Sequence, residues 1–258
     1  MPIHQTARTF GARRVPTATA ASGCWQLGEV TQARRADIWP SAGDPFFTDV
    51  AILLHMDGAN GGTTFTDSGP DTLAATVVGD AQTSTAQSKF GGASAVFDGA
   101  GDYISFSGLG LSTNDFTIEF WLRTTDSLQY RALAGNQTST LGVWQILLNS
   151  DAANDGTIGF WVRGIAGAVA TTSGGFNDGS WHHFAAVRSG TTLELFVDGV
   201  SESTATNSSD LSAAQNFNVG LQPGAGRAYT GYIDELRVTK AARYTAAFTP
   251  QTEAFPDE

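Results

Sequence analysis

Short segments that alternate apolar and polar residues recur along most of this chain, and glycine-rich turns separate them. Phe116–Arg123 is the clearest, with an apolar residue at every second position, and Tyr229–Val238 repeats the pattern near the end. A period of two is typical of a half-buried β-strand. No convincing helical pattern interrupts these segments after Val50, so we predict an all-β, two-sheet antiparallel sandwich. The other predicted strands are Val50–His55, Ser94–Phe97, Asp102–Phe106, Trp144–Leu148, Thr157–Arg163, Trp181–Arg188 and Thr191–Val197.

Charge and composition argue against several classes of partner. The chain contains 14 Lys and Arg residues but 25 Asp and Glu residues, which gives a formal net charge of −11. Binding to phosphate backbones needs clusters of basic residues, so we expect no nucleic-acid partner and no docking on an anionic membrane. No stretch approaches the roughly 18 apolar residues that a membrane span requires.

The start of the chain and its single cysteine bear on location and stability. Met1–Thr6 is not followed by the apolar region that a secretory signal contains. If the protein acts outside a cell, we therefore expect release by lysis or as part of a particle. Cys24 is the only cysteine, so no intrachain disulfide stabilises the fold.

Residues 1–48 differ from the rest because they show no sustained periodicity. Within them, Leu27–Trp39 is predicted to be a short helix that ends before Pro40, and Ser41–Pro45 has the composition of a linker. Such a segment buries little surface by itself. We predict an irregular N-terminal arm, residues 1–48, followed by a β-domain, residues 49–258.

Seven segments, in order, resemble a laminin-G-like domain, the concanavalin A-like lectin/glucanase jelly roll. The resemblance extends over roughly residues 50–255. It implies a curved two-sheet sandwich, frequently with one calcium ion and often with a face that binds glycans or proteins, and it does not by itself imply catalysis. The segments are Leu53–Gly58, Lys89–Ser94, Phe97–Ile104, Phe116–Trp121, Trp181–Ala185, Leu195–Gly199 and Tyr232–Arg237.

Two further segments resemble parts of tailed-bacteriophage structural proteins. Gly23–Pro40 looks like a short element found in such proteins, and Ala241–Pro250 is similar to the end of phage-borne versions of this sandwich. These resemblances imply a virion component, which would also fit the missing signal peptide.

The resemblance also implies where calcium would bind. Ca²⁺ takes six to eight oxygen ligands from carboxylates, carbonyls and water. The first and last strands of this family are neighbours, so we expect Asp57 and Asp234 to converge, with Asp67 nearby and loop carbonyls completing the site. In the alternative, Asp57 and Asp67 are turn residues bonded to local backbone, and a backbone donor or Arg237 holds Asp234.

Catalysis is not expected. Glucanases of this fold carry carboxylates at alternate positions of one strand, and no Glu-x-Asp-x-Glu run occurs here. Asp234 and Glu235 are adjacent, so strict alternation would point them to opposite faces. The same reasoning separates His182 from His183, so we expect one in the interior and one at the surface rather than a shared metal.

These observations favour a non-enzymatic virion protein of a bacteriophage, either a capsid decoration or a tail-associated protein. Residues 1–48 would attach it to capsid or tail proteins in many copies, and the sandwich would bind a host-surface polysaccharide. A purely architectural role without a ligand stays open. The alternative from another class is a free, extracellular carbohydrate-binding protein of a bacterium.

Overall fold

The described part of the chain is built from β-strands. The computed structural model describes residues 43–150, 155–164, 169–171, 173–212 and 214–258, and Phe46–Glu258 form one compact unit. Over the described residues the prediction of an all-β fold is confirmed, and none of them forms a helix long and apolar enough to cross a bilayer. The helix predicted at Leu27–Trp39, Cys24 and nearly all of the predicted arm lie outside the described residues.

A 3₁₀ turn, Phe47–Asp49, leads into the first of the described strands. The strands are β1 (Val50–Leu54), β2 (Thr76–Val78), β3 (Gln82–Ser84), β4 (Ser94–Asp98), β5 (Tyr103–Phe106), β6 (Phe116–Arg123), β7 (Arg131–Gly135), β8 (Trp144–Leu148), β9 (Ile158–Val162), β10 (Val169–Ala170), β11 (Trp181–Ser189), β12 (Thr192–Val197), β13 (Val200–Thr206), β14 (Phe217–Val219) and β15 (Thr230–Thr239).

The strands form two antiparallel sheets that pack face to face, which confirms the predicted jelly-roll sandwich. Sheet A has the order β13-β12-β11-β6-β15-β4-β3, with β1 also paired to β15. Sheet B has the order β10-β9-β8-β7-β14-β5-β2. The first and last strands are therefore neighbours, as the family resemblance implied.

The core lies between the sheets because the apolar residues of each strand point inward at every second position. From β6, Phe116 and Phe120 enter this core, and from sheet B so do Trp144 and Phe160. Phe116 and Phe160 stack across it with ring centroids 5.9 Å apart, and Trp144 and Phe160 stack within sheet B with centroids 5.4 Å apart and planes within 7°. Burying each such side chain contributes about 1.5–3 kcal/mol before entropy is counted.

The C-terminal segment, residues 240–258, crosses the outer face of sheet A and is called the C-terminal strap below. Tyr244 and Phe248 stack with ring centroids 3.6 Å apart and pack on Phe196 of β12. Further along, Phe255 packs on Val50 and Leu53 of β1. The strap thus buries apolar residues that would otherwise face solvent.

A β-bulge in β15 breaks the alternation at the acidic pair. Register with β6 shifts between Asp234 and Arg237, and Glu235 has a φ of 48°. Glu235 bonds to His55 and to the amide of Phe255, both outside the core, and Asp234 bonds to a loop on the same outer side. The expectation that the two carboxylates point to opposite faces was therefore wrong, because a bulge sets two residues against one.

Candidate functional site

Asp57 and Asp234 both lie against the loop formed by residues 89–92. Asp234 Oδ2 accepts hydrogen bonds from the amides of Lys89 (2.6 Å) and Phe90 (3.2 Å). The Asp57 carboxylate sits so close to Gly91 that a methyl group there would collide with both of its oxygens. The structure thus brings two of the three predicted ligands to one loop, at the edge where β1 meets β15.

The environment of this pair suits a hard cation. Burial raises the pKa of Asp234 to about 7, against the lowering effect of the amides of Lys89 and Phe90, and the charge of Glu235 adds to the rise. The amide of Glu235 also donates to Asp234 Oδ1 at 3.0 Å, so both oxygens accept backbone N–H groups, as in the alternative in which a backbone donor holds Asp234. Carboxylate oxygens are a ligand type that Ca²⁺ prefers, and calcium binding by Asp57 and Asp234 stays a prediction.

Asp67, the third predicted ligand, is occupied elsewhere. Its Oδ1 accepts hydrogen bonds from the amides of Leu53 (2.8 Å) and Gly69 (2.9 Å), and its Oδ2 accepts one from Leu73 (2.7 Å). The buried carboxylate thereby ties the loop after residue 67 to β1. This geometry matches the alternative of a turn residue bonded to backbone, and a role for Asp67 in binding metal stays a prediction.

A second acidic group closes a turn and was not singled out from the sequence. Oxygens of Asp80, Asp98 and Asp102 lie within 4.8 Å of one another. Asp102 Oδ1 accepts the amide of Asp80 and its Oδ2 accepts the amide of Asp98, so the buried carboxylate holds the glycine-rich turn after β4. A hydrogen bond to Asp102 raises the pKa of the exposed Asp80.

Glu119, in the middle of β6, belongs to a buried ionic network rather than to a catalytic pair. Arg237 donates two hydrogen bonds to its Oε1, at 3.0 and 2.8 Å, and the Tyr244 hydroxyl donates to its Oε2 at 2.9 Å. Burial is the largest single effect and opposes ionisation, but Arg237, His183 and Arg243 together outweigh it, and the pKa of Glu119 falls to about 2. The network fixes the C-terminal strap to sheet A.

The two adjacent histidines separate as predicted. His183 is fully buried on the outer side of sheet A, with Nε2 3.3 Å from Glu119. His182 lies nearer the surface, between Asp198 (2.8 Å) and Asp178 (3.3 Å). They share no metal-binding position.

Trp161 and Tyr130 form an aromatic pair on the outer face of sheet B, which is called the Trp161 platform below. The Trp161 indole lies back over Gly159, where a side chain would meet its Nε1. Tyr130 stands edge-on to it, with ring centroids 6.3 Å apart and planes at 88°. Trp161 is partly exposed, so one face of a large rigid ring is available to a ligand.

Polar groups continue the platform across the sheet. Gln145 of β8 lies directly opposite Trp161, and among the described residues neither Gln145 Oε1 nor Trp161 Nε1 has a hydrogen-bond partner, although both atoms are buried. The next position is Gly135, where an added methyl group would collide with the backbone of Trp144 and Gln145, so only glycine lets the two strands pack this closely. Since strands lie about 4.8 Å apart, the row spans roughly 24 Å. In strand order it is Thr76, Ser105, Asn218, Gly135, Gln145 and Trp161.

The sequence carries little signal that distinguishes this platform. Phe160–Arg163 repeats the pattern of Phe120–Arg123, so Trp161 and Trp121 look equivalent. In the structure Trp121 is buried, with Lys89 Nζ 3.8 Å from the centre of its ring, whereas Trp161 is partly exposed. The difference comes from the residue 89–92 loop, which is distant in sequence from both.

Comparisons with known proteins agree with this fold. Residues 98–247 match the model of Laminin_G_3, described as the concanavalin A-like lectin/glucanases superfamily. No curated protein matched the chain.

Among solved structures, the chain is similar to the binding domain of Paraclostridial Mosquitocidal Protein 1, with a TM-score of 0.63 and 14% identity over 77% of this chain and 50% of that one. It is also similar to domain 4 of AbnA, a GH43 extracellular arabinanase from Geobacillus stearothermophilus, solved with arabinotriose (TM-score 0.56, 19% identity, 75% of this chain and 93% of that one). A third similar structure is the binding domain of botulinum neurotoxin DC in complex with SialylT, with a TM-score of 0.55 and 10% identity over 77% of this chain and 50% of that one. The chain thus spans half the length of the toxin binding domains, and these identities show a shared fold alone.

Proposed function

This chain belongs to the Laminin_G_3 family of the concanavalin A-like lectin/glucanases superfamily, and we propose on that basis that it is a non-enzymatic, glycan-binding module. The observation that carries the proposal is the Trp161 platform. It combines a partly exposed indole at Trp161 with a neighbouring row of uncharged polar side chains, among which the buried Gln145 Oε1 has no partner in the described part of the chain. A sugar ring stacks its C–H face on an indole and offers hydroxyls to neighbouring amides.

The length of the row and the absence of charge along it favour an extended neutral saccharide. The six positions across sheet B carry no charged side chain: they are hydroxyl, amide, glycine and tryptophan residues. Sugar hydroxyls both donate and accept hydrogen bonds, which matches amides and hydroxyls better than it matches a charged group. Arabinotriose, a neutral saccharide, on the arabinanase domain lends support by analogy of fold.

We propose further that the protein is a bacteriophage virion component, either a capsid decoration or a tail-associated protein. The resemblance of Gly23–Pro40 and Ala241–Pro250 to phage structural proteins supports this. Residues 1–48 would attach the sandwich to capsid or tail proteins, and display in many copies would raise avidity for a host-surface polysaccharide by roughly 10²–10⁴.

Calcium is the proposed cofactor, held by Asp57 and Asp234 with carbonyls of the residue 89–92 loop. When bound, the ion would neutralise two carboxylates and fix this loop against sheet A. Calorimetric titration of Ca²⁺ into protein stripped with EDTA tests the proposal. Absence of both heat and a change in melting temperature would contradict it.

The absence of catalysis is also a proposal. Glu119 is ionised and fully engaged by Arg237 and Tyr244, so it is a poor proton donor. We expect no new reducing ends when the protein is incubated with any glycan that it binds.

The decisive experiment is a glycan array followed by calorimetry of the best neutral ligand. Replacing Trp161 by Ala should weaken binding about ten-fold or more, because the stacking surface is lost. Trp181→Ala is the matched control: it removes the same residue type from sheet A and should bind normally. A blank array, or equal losses in the two variants, would overturn the proposal.

A further inference from the structure

A groove lies on the opposite side of the sandwich from the Trp161 platform, in the outer face of sheet A. It encloses about 290 Å³ and is called the Arg123 groove below. The C-terminal strap covers this face at Glu119 and Ala185, whereas Arg123, at the far end of β6, lines the groove. The volume is near the lower bound for small-ligand pockets, which suits a single sugar ring.

The groove is positively charged in a strongly acidic protein. Among the described residues that line it, Arg123 is the one charged side chain, and no carboxylate lines it. The chain as a whole carries 25 acidic against 14 basic residues. A lone cation in a cleft of low dielectric focuses the local field and attracts anions, even when the net charge of the protein is negative.

The guanidinium of Arg123 makes no hydrogen bond or ion pair with any described residue, in contrast to other arginines of sheet A. Arg237 is bonded to Glu119, and Arg188 donates to backbone carbonyls such as that of Asn114. A partly buried guanidinium presents five N–H donors in a planar fork, and its natural complement is a carboxylate. Arg123 therefore has unused capacity for a bidentate bond.

The other walls suit the remainder of a sugar. Tyr232 lies directly opposite Arg123 on β15 and lines the groove, so an aromatic ring adjoins the charge. Gln87, Thr125 and Thr230 also line it and add an amide and hydroxyls. A ring that stacks on Tyr232 would place a substituent near Arg123 and its hydroxyls near these polar groups.

We propose that the Arg123 groove binds an acidic sugar, with Arg123 holding its carboxylate and Tyr232 packing against its ring. This site goes beyond the proposed neutral-glycan function, since it lies on the other sheet and shares no residue with the Trp161 platform. A polysaccharide that contains uronic or sialic acid would then be recognised at two separate points.

Saturation-transfer NMR and calorimetry of the full-length protein at low salt test this, with glucuronate, galacturonate and N-acetylneuraminate as probes. Glucose, galactose and glucose 6-phosphate serve as comparisons. We expect the carboxylated sugars to bind about ten-fold more tightly than the neutral ones, and added salt to weaken them. No binding of the acids, no preference over neutral sugars, or equal binding of the sugar phosphate would overturn the proposal.

Variants locate the site. Arg123→Gln should abolish the preference for acids, and Arg123→Lys should restore part of it, because lysine keeps the charge without the planar fork. Lys240→Gln, which removes a positive charge paired with Asp71 elsewhere, is the control for net charge and should bind normally. Trp161→Ala should leave binding of the acids unchanged, so failure of the groove is distinguished from failure of the platform. Equal affinity in Arg123→Gln and the unmodified protein would refute the assignment.

Discussion

At the scale of single residues, the carboxylate of Glu119 connects two parts of the chain. It is fully buried and accepts hydrogen bonds from Arg237 of β15 and from Tyr244 of the C-terminal strap. Taking a charge out of water is costly, so its partners have to compensate for the lost hydration. The lowered pKa of Glu119 indicates that its partners stabilise the ionised form, and it predicts how the free energy of unfolding depends on pH.

Glu119 should make the protein acid-sensitive in a defined window. Because its pKa is lowered from 4.5 to about 2, the stabilisation is complete above pH 4.5 and is lost as the pH falls towards 2. The expected loss is roughly 3 kcal/mol. Urea unfolding across this range measures it.

Glu119→Gln should be less stable at pH 7, by about 3–5 kcal/mol, because it removes the charged acceptor of two buried Arg237 hydrogen bonds. Its stability should also depend less on pH between 4.5 and 2. Glu253→Gln, at an exposed strap position, serves as control. The same pH dependence in Glu119→Gln and the unmodified protein would exclude Glu119 as the source.

Two adjacent glycines provide a test of the calcium site. Gly91 (φ 58°) and Gly92 (φ 97°) both adopt a left-handed backbone, so alanine strains either one. Only at Gly91 does the added methyl meet the Asp57 carboxylate; at Gly92 no described atom lies within 4 Å. We expect Gly91→Ala to weaken Ca²⁺ binding about ten-fold or more, and Gly92→Ala to retain it, as measured by calorimetry.

Asp67→Ala separates the two interpretations of the third carboxylate in the same assay. If Asp67 only binds backbone, the variant should keep its calcium affinity and lose about 2–4 kcal/mol of stability, since three amides lose their acceptor. Lost affinity with retained stability would instead make Asp67 a ligand.

At the scale of secondary-structure elements, the hairpin between β12 and β13 supports the C-terminal strap. Asp198 (φ 51°) and Gly199 (φ 77°) form its tight turn, and the Phe248 amide donates to the Gly199 carbonyl at 2.9 Å. A methyl group at Gly199 would collide with the Phe248 carbonyl oxygen. Position 199 therefore requires glycine for two reasons: the positive φ of the turn and the close contact with Phe248 of the strap.

Gly199→Ala should loosen the strap. We expect a lower melting temperature and faster proteolysis within residues 240–258, because both the turn and the contact with Phe248 are disturbed. Gly190→Ala is matched to it: Gly190 also has a positive φ (59°) in a hairpin turn, but open space surrounds it. If both variants are cleaved at the same rate, backbone strain rather than the Phe248 contact is responsible.

Strand length decides how much of the fold was predictable. Phe116–Arg123, a long alternating run, and Trp144–Leu148, a short and mostly apolar run, were predicted with their observed bounds. Missed strands such as Thr76–Val78 and Phe217–Val219 are three residues long and depend on neighbours. Val200–Thr206 was missed because it is polar and lies at an edge.

The meeting of Asp57 and Asp234 at one loop was predictable from the family resemblance, which makes the first and last strands neighbours. The Trp161 platform depends on cross-strand pairs such as Gln145 with Trp161, and no sequence pattern gives their register. The bulge at Glu235 was not predicted for a similar reason, since no sequence pattern marks a non-glycine residue that adopts a positive φ.

At the scale of the whole molecule, the two proposed glycan sites lie on different sheets of one sandwich, and neither uses residues 1–48. If residues 1–48 are an anchor, a protease should remove them quickly from the isolated protein and slowly from the assembled particle. The remaining domain should keep its glycan affinity while losing attachment. Equal cleavage rates in both forms would contradict the anchoring role.

The pairing of β1 with β15 also has a mechanical consequence. Val50, where β1 begins, lies opposite Thr239, where β15 ends, and the strands run antiparallel. Once the C-terminal strap has come away from sheet A, a force that pulls Val50 and Thr239 apart would load the hydrogen bonds between these strands one after another rather than all together. A particle tethered to its host through this edge should therefore yield by peeling β1 from sheet A at low force, with the core between the sheets still intact.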